Sequence, residues 1–152
     1  MYQATVPVLR HYLSRIADMV ALAGPDALEA RLGESETARW QFETAAGLSM
    51  EIACTLAGRD LPDLPGALGP RLAVARAMLG ALKPAEFLSD PAADLQFGAT
   101  VLRAGDFVHL YGMPNFFFRI SLGYAALVAS GVALSEADFD GFSAPVLPDP
   151  FP

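Results

Sequence analysis

Arg119 is the only charge in a long apolar stretch, residues 113–134 (MPNFFFRISLGYAALVASGVAL). An arginine in such a setting is paired, reaches solvent along its stem, or serves a site. Asn115 lies one helical turn before it, so an amide and a guanidinium share one helix face. Gln41 falls on the apolar stripe of another helical block, where an amide needs partners, and Tyr124 brings a hydroxyl with the same need. Such a set suits anion recognition, with the planar fork of Arg119 holding a carboxylate or phosphate oxygen and Asn115 and Gln41 orienting it. Gln41, Asn115, Arg119 and Tyr124 are therefore the candidate ligand-binding residues. The alternative is a closed structural network, with Arg119 paired to an acid such as Glu43 or Glu51 and Asn115 capping a helix after Pro114.

Other chemistry has little to stand on. The two histidines, His11 and His109, belong to no His-x-x-x-His or Glu-x-x-His pair, so no metal site is expected. The single cysteine, Cys54, sits in IACTLAG without an activating base and reads as a small core residue. Ser121 and Ser130 are placed to bond back to a helix backbone. There is no Gly-x-Ser-x-Gly elbow, and LAGRDLPDLPGALG lacks the Gly-Lys-Ser/Thr ending of a phosphate loop. No catalytic residue and no cofactor is expected.

Composition narrows the setting. At 152 residues, 53% apolar and 18% charged, the chain suits one domain with a large core and apolar surface to spare, which favours a homodimer. A formal charge of −7 with scattered basic residues excludes nucleic acid and disfavours anionic membranes. The uncharged run after Arg119 ends at Glu136, short of the roughly 20 residues a membrane span needs. The start, MYQATVPVLRHYL, lacks the pattern of a secretion signal, and one cysteine suits a reducing compartment, so a cytoplasmic protein is expected.

Four helical blocks have to position these residues. Val6, Leu9, Leu13, Ile16 and Val20 mark the first, with Thr5 and Pro7 as its start and Gly24-Pro25 as its end. The second runs from a cap at Ser35 to Leu56, with Phe42, Ala45, Leu48 and Ile52 inward and Gly58 as the stop. Residues 59–69 read as a loop across the bundle end, and Leu68, Leu72, Ala75, Leu79 and Leu82 form the third stripe. Leu95–Phe97 and Thr100–Leu102 around Gly98 suit a small β-hairpin. The fourth block runs from Asp106 to about Ser130; Pro114 either kinks it or begins its main segment, and Phe116, Phe117, Phe118 and Tyr124 are expected in the core. The expected architecture is all-α, an antiparallel up-down-up-down four-helix bundle over 1–142, with a proline-rich tail at 143–152.

The stretch MPNFFFRISLGYAALVASGVAL, the ADFDG that follows, YQATVPVLRHYL at the start, ALEARL, and QFETAAGLSMEIACTLAG resemble the DinB/YfiT-like four-helix-bundle superfamily. Within it the chain is similar to a bacterial family of unknown function. The resemblance implies an up-down-up-down bundle and frequent dimers. In some branches it also implies a three-histidine divalent metal site serving thiol-dependent transferases and hydrolases. Family members usually carry histidine where Arg119 stands, and aspartate and lysine where Gly47 and Met50 stand. The implied function is an uncharacterised DinB-like bundle that binds a small ligand or partner and lacks that metal site. The alternative is a diverged transferase or hydrolase with a polar pocket around Arg119.

Overall fold

In helix α1 (Tyr2–Ala27), Val6, Leu9, Leu13, Ile16 and Met19 recur every three or four residues and all five are buried; Met19 completes the stripe in place of the expected Val20, which is only partly buried. The helix starts before the expected Thr5 cap. The Thr5 hydroxyl donates backward to the Met1 carbonyl at 3.1 Å, bonding within the turn as serines and threonines inside helices do. Pro7 therefore lies inside the helix, but it and Gln3, whose carbonyl loses its helical donor, are both exposed to water. Gly24, at φ 74 and ψ 170, breaks the helix before Pro25, as expected.

Helix α2 (Ala38–Ala57) is capped by Thr37, whose hydroxyl accepts from the Trp40 amide at 3.1 Å, and not by Ser35. Ser35 is engaged in the preceding turn, where it accepts from the Leu32 amide. Helix α3 (Leu68–Ala81) buries the expected stripe. A two-residue turn at Gly98-Ala99 joins β1 (Asp94–Phe97) to β2 (Thr100–Arg103), which pair antiparallel from Asp94↔Arg103 to Phe97↔Thr100. The short α4 (Ala104–Asp106), a π-helical segment (Phe107–Gly112) and α5 (Met113–Ala129) follow without a break, and α6 (Glu136–Asp140) comes last. The structure, a computed structural model, describes residues 1–142; the expected tail at 143–152 lies outside the described residues. No helix among the described residues is long and apolar enough to cross a membrane.

The expected helical bundle with its hairpin forms, but contacts between helix ends revise the helix order. Arg39 near the start of α2 donates its amide to Leu28 just past α1, so these two are antiparallel. Arg71 at the start of α3 reaches the Glu43 carbonyl near the start of α2, at 3.1 Å. Beyond the far end of α3, the Leu88 amide bonds Leu56 at the end of α2, at 3.2 Å. Helix α3 thus runs parallel to α2, while Gly123 of α5 meets Phe42 and Gly112 meets Ile52, making α5 antiparallel to α2. The order is up-down-down-up in place of the alternating one. Residues 58–67 do not cross the bundle end but run its length, which an extended chain manages because it advances about 3.3 Å per residue against about 1.5 Å in a helix. Arg71 also holds this strap, donating to the Pro65 carbonyl at 3.1 Å.

Helices α2 and α5 pack most closely. A Cβ at Gly123 would lie 2.4 Å from Phe42 Cε1, and one at Gly112 would lie 2.9 Å from Ile52 Cγ1. The π segment accommodates Pro114 within a continuous helix: the Met113 amide reaches back five residues to Val108, so the turn before the proline is widened by one residue. The chain does not start a separate helix there: the backbone is helical at both Gly112 and Met113. The wide turn also sets Tyr111 near Glu51, and burial, then the Glu51 charge, pushes the Tyr111 hydroxyl above its usual range.

Two outcomes are expected. Gly123→Ala should lower stability by about 1–3 kcal/mol through overpacking against Phe42, whereas Gly69→Ala, with open space around it, should be neutral or gain up to about 1 kcal/mol, both measured by urea unfolding. Burial pushes the Glu51 carboxyl above its ordinary value, so its charged form is disfavoured in the folded state. That penalty is absent below the unfolded pKa, grows as pH rises toward the folded one, and is complete above it. Glu51→Gln should therefore raise Tm at neutral pH, and the gain should vanish below about pH 4; an equal gain at both pH values would contradict this.

Candidate functional site

Arg119 and Gln41 meet where α5 crosses the start of α2. Gln41 is buried, and its side-chain oxygen accepts from Arg119 Nη1 at 3.3 Å. The guanidinium carbon lies 4.9 Å from the Trp40 ring centroid and 5.4 Å from that of Phe118, within cation–π range of both. The ion pairs among the described residues are Arg15–Asp18, Arg31–Glu36, Arg39–Glu29, Arg59–Glu86 and Arg103–Asp94. Arg119 is in none of them, so the pairing with Glu43 or Glu51 weighed as the structural alternative does not form. Its Nε is the one buried side-chain nitrogen or oxygen among the described residues without a hydrogen-bond partner. Phe118 is not in the core as expected; it is 54% exposed and, with Trp40 at 39%, forms the solvent side of the cluster.

The other two candidates go elsewhere. Asn115 Nδ2 donates to the Tyr111 carbonyl at 2.7 Å, so its amide nitrogen serves the turn just before Pro114, and it does not take the capping role considered for it. Tyr124 is five residues past Arg119, about 140° further around the helix. It faces α6, with its ring 5.5 Å from that of Phe139.

Tyr124 lines a separate cavity of about 430 Å³, together with Tyr12, Ser121, Glu136, Phe139 and Asp140. Helix α6 supplies three of these side chains. It is held by a cap in which the Ser135 amide and hydroxyl donate to Asp138 at 2.7 and 2.8 Å, and by His11 Nε2, 2.7 Å from the Asp140 carbonyl oxygen. Burial, and secondarily the negative charge of Asp140, pushes the Tyr12 hydroxyl above its usual range. Sequence reasoning missed α6 and with it Phe139, Glu136 and Asp140, although Ser135-Glu-Ala-Asp138 spells the capping pattern that starts a helix.

Among the described residues, no three His, Cys, Asp or Glu side chains form a group that could hold a metal ion. Cys54 is buried, and burial pushes its thiol up against a smaller opposing effect of Arg59, which keeps it in its unreactive form.

Comparison with known proteins follows the fold. A crystal structure of a DinB family member protein from Shewanella denitrificans superposes with a TM-score of 0.83 at 20% identity, covering 95% of each chain, a likeness that concerns the fold alone. No curated protein matches the chain. Residues 1–140 match the family described as a domain of unknown function, DUF1993. That match spans nearly the whole chain: the protein belongs to the DUF1993 family and has a DinB-like fold.

Proposed function

We propose that this protein binds a small ligand or partner bearing a carboxylate or phosphate group, and that Arg119 is the residue that holds it. The observation that carries this reading is the buried, unpartnered Nε on a guanidinium with no acid beside it. A buried N–H without an acceptor is costly, and an anionic oxygen supplies both the missing acceptor and the missing charge. Nη1 is committed to Gln41, which leaves the Nε–Nη2 edge, the one that forms paired bonds to carboxylates. Phe118 is the exposed wall that has to swing for an oxygen to reach it.

The contacts of Arg119 are Gln41, Trp40 and Phe118, none of which is a nucleophile or a general base, so the reading is one of binding. The broader proposal is a homodimer in a reducing, cytoplasmic setting. It is supported by the apolar side chains left on the surface, among them Leu110 and Phe118, and by the single buried cysteine.

Trp40 is the only tryptophan in the chain and lies against Arg119, so its emission reports on this site. Titration with inorganic phosphate and with mono- and dicarboxylates should give a saturable change with at least one of them. Arg119→Ala should abolish it at a cost in unfolding stability of about 1–3 kcal/mol, since the buried Gln41 oxygen loses its donor. No response to any anion, or a bundle that unfolds on Arg119→Ala, would make Arg119 a structural residue.

A further inference from the structure

The cavity on the other side of α5 carries chemistry of the opposite sign. Three of its walls are aromatic and come from three elements: Tyr12 from α1, Tyr124 from α5 and Phe139 from α6. Phe139 stands at 62° to Tyr12 and 73° to Tyr124, with centroids 5.6 and 5.5 Å away, so the rings form corners and not a flat stack. Two carboxylates, Glu136 and Asp140, complete the lining with the Ser121 hydroxyl.

These acids are largely unspent. Glu136 has no hydrogen bond or ion pair among the described residues, and Asp140 uses Oδ1 to accept from the Phe142 amide at 2.8 Å, leaving Oδ2 free. Asp138, on the same short helix, is taken up by its cap with Ser135. Of the basic residues nearby, Arg15 is paired with Asp18 and acts also on Asp138, His11 turns Nε2 to the Asp140 backbone, and no lysine or arginine lines the cavity.

We propose that this cavity binds a small organic cation of the quaternary or methylated ammonium class. Such a group is weakly hydrated, is attracted to aromatic faces, and is drawn by carboxylates without requiring the directed hydrogen bonds of a primary amine. An ammonium with several N–H groups would need more acceptors than this mainly aromatic lining offers. A volume of about 430 Å³ leaves room beyond a methylated headgroup for a short tail, with the Ser121 hydroxyl at hand for a polar end. The site is independent of anion binding at Arg119, which Trp40 reports separately.

Choline is the probe, and dimethylbutanol, the alcohol with carbon in place of the charged nitrogen, is its control. In NMR titrations of the full chain, choline should shift the ring signals of Tyr12, Tyr124 and Phe139 saturably and leave the Trp40 indole unmoved. The neutral alcohol should bind at least about tenfold more weakly. Glu136→Gln should weaken choline about three- to tenfold without moving Tm, since Glu136 is exposed and holds nothing else in place. Tyr124→Leu should weaken it further. Absence of saturable shifts, equal affinity for the neutral alcohol, or unchanged choline affinity in both variants would overturn the proposal.

Discussion

The approach of α5 to α2 is the constraint on which the rest of the molecule depends. Two glycines permit it: Gly123 accepts the Phe42 ring where any Cβ would collide, and Gly112 does the same for Ile52. Residue 119 is one turn before Gly123, and Gln41 and Trp40 directly precede Phe42. Once the Phe42 ring is seated against Gly123, the guanidinium of Arg119 is brought against Gln41 and Trp40. The polar cluster is thus a by-product of a packing register. The π turn completes that register by widening the helix just before Pro114 while keeping it continuous.

The same helix serves two environments because its faces meet different neighbours. Toward α2 it carries the cation, and toward α6 it carries Tyr124 against Phe139. Helix α6 is five residues long and cannot be stable by itself, so its place comes from the Ser135–Asp138 cap and from His11 of α1. Tyr12 joins both sides of this arrangement, packing edge-on to Phe117 at 4.9 Å and to Phe139 at 5.6 Å. Both faces of α5 are consequently tied to the bundle core, the one through glycines and the other through aromatic rings.

What could be read from the sequence follows from how local each signal is. The stripes of α1 and α3, the stops at Gly24 and Gly58 and the turn at Gly98 depend on residues a few positions apart, and all stand in the structure. Ser35 and Thr37 are both good caps, and only the preceding turn, where Ser35 accepts from Leu32, decides for Thr37. The direction of α3 is not local at all: it depends on whether 58–67 turns or runs on, and a proline-rich segment permits both. Phe118 was misplaced because a run of three phenylalanines in a helix cannot all face the core, and residues at about 100° steps leave one outside. Gln41 and Arg119 were both identifiable as polar groups in apolar stripes, but their meeting depends on helix packing. Tyr124 shares their need for a partner but not their place, because its helical angle separates it from Arg119.

The family resemblance implies histidine at position 119, a residue that can ligate a divalent metal when neutral, and this chain has arginine there. A guanidinium resembles a bound metal in one respect only, as a fixed positive charge able to hold an anionic oxygen. It cannot accept a lone pair into its own coordination shell, nor lower the pKa of a bound water toward neutrality as a metal does. Gln41 fits this difference, since its oxygen serves a donor and would be no better than a weak ligand. Trp40 and Phe118 fit it too, because rings beside a cation stabilise a permanent charge and would have no comparable use beside a coordination sphere. The three neighbours of Arg119 are thus matched to an arginine: an amide oxygen that accepts from it and two rings that lie against its charge.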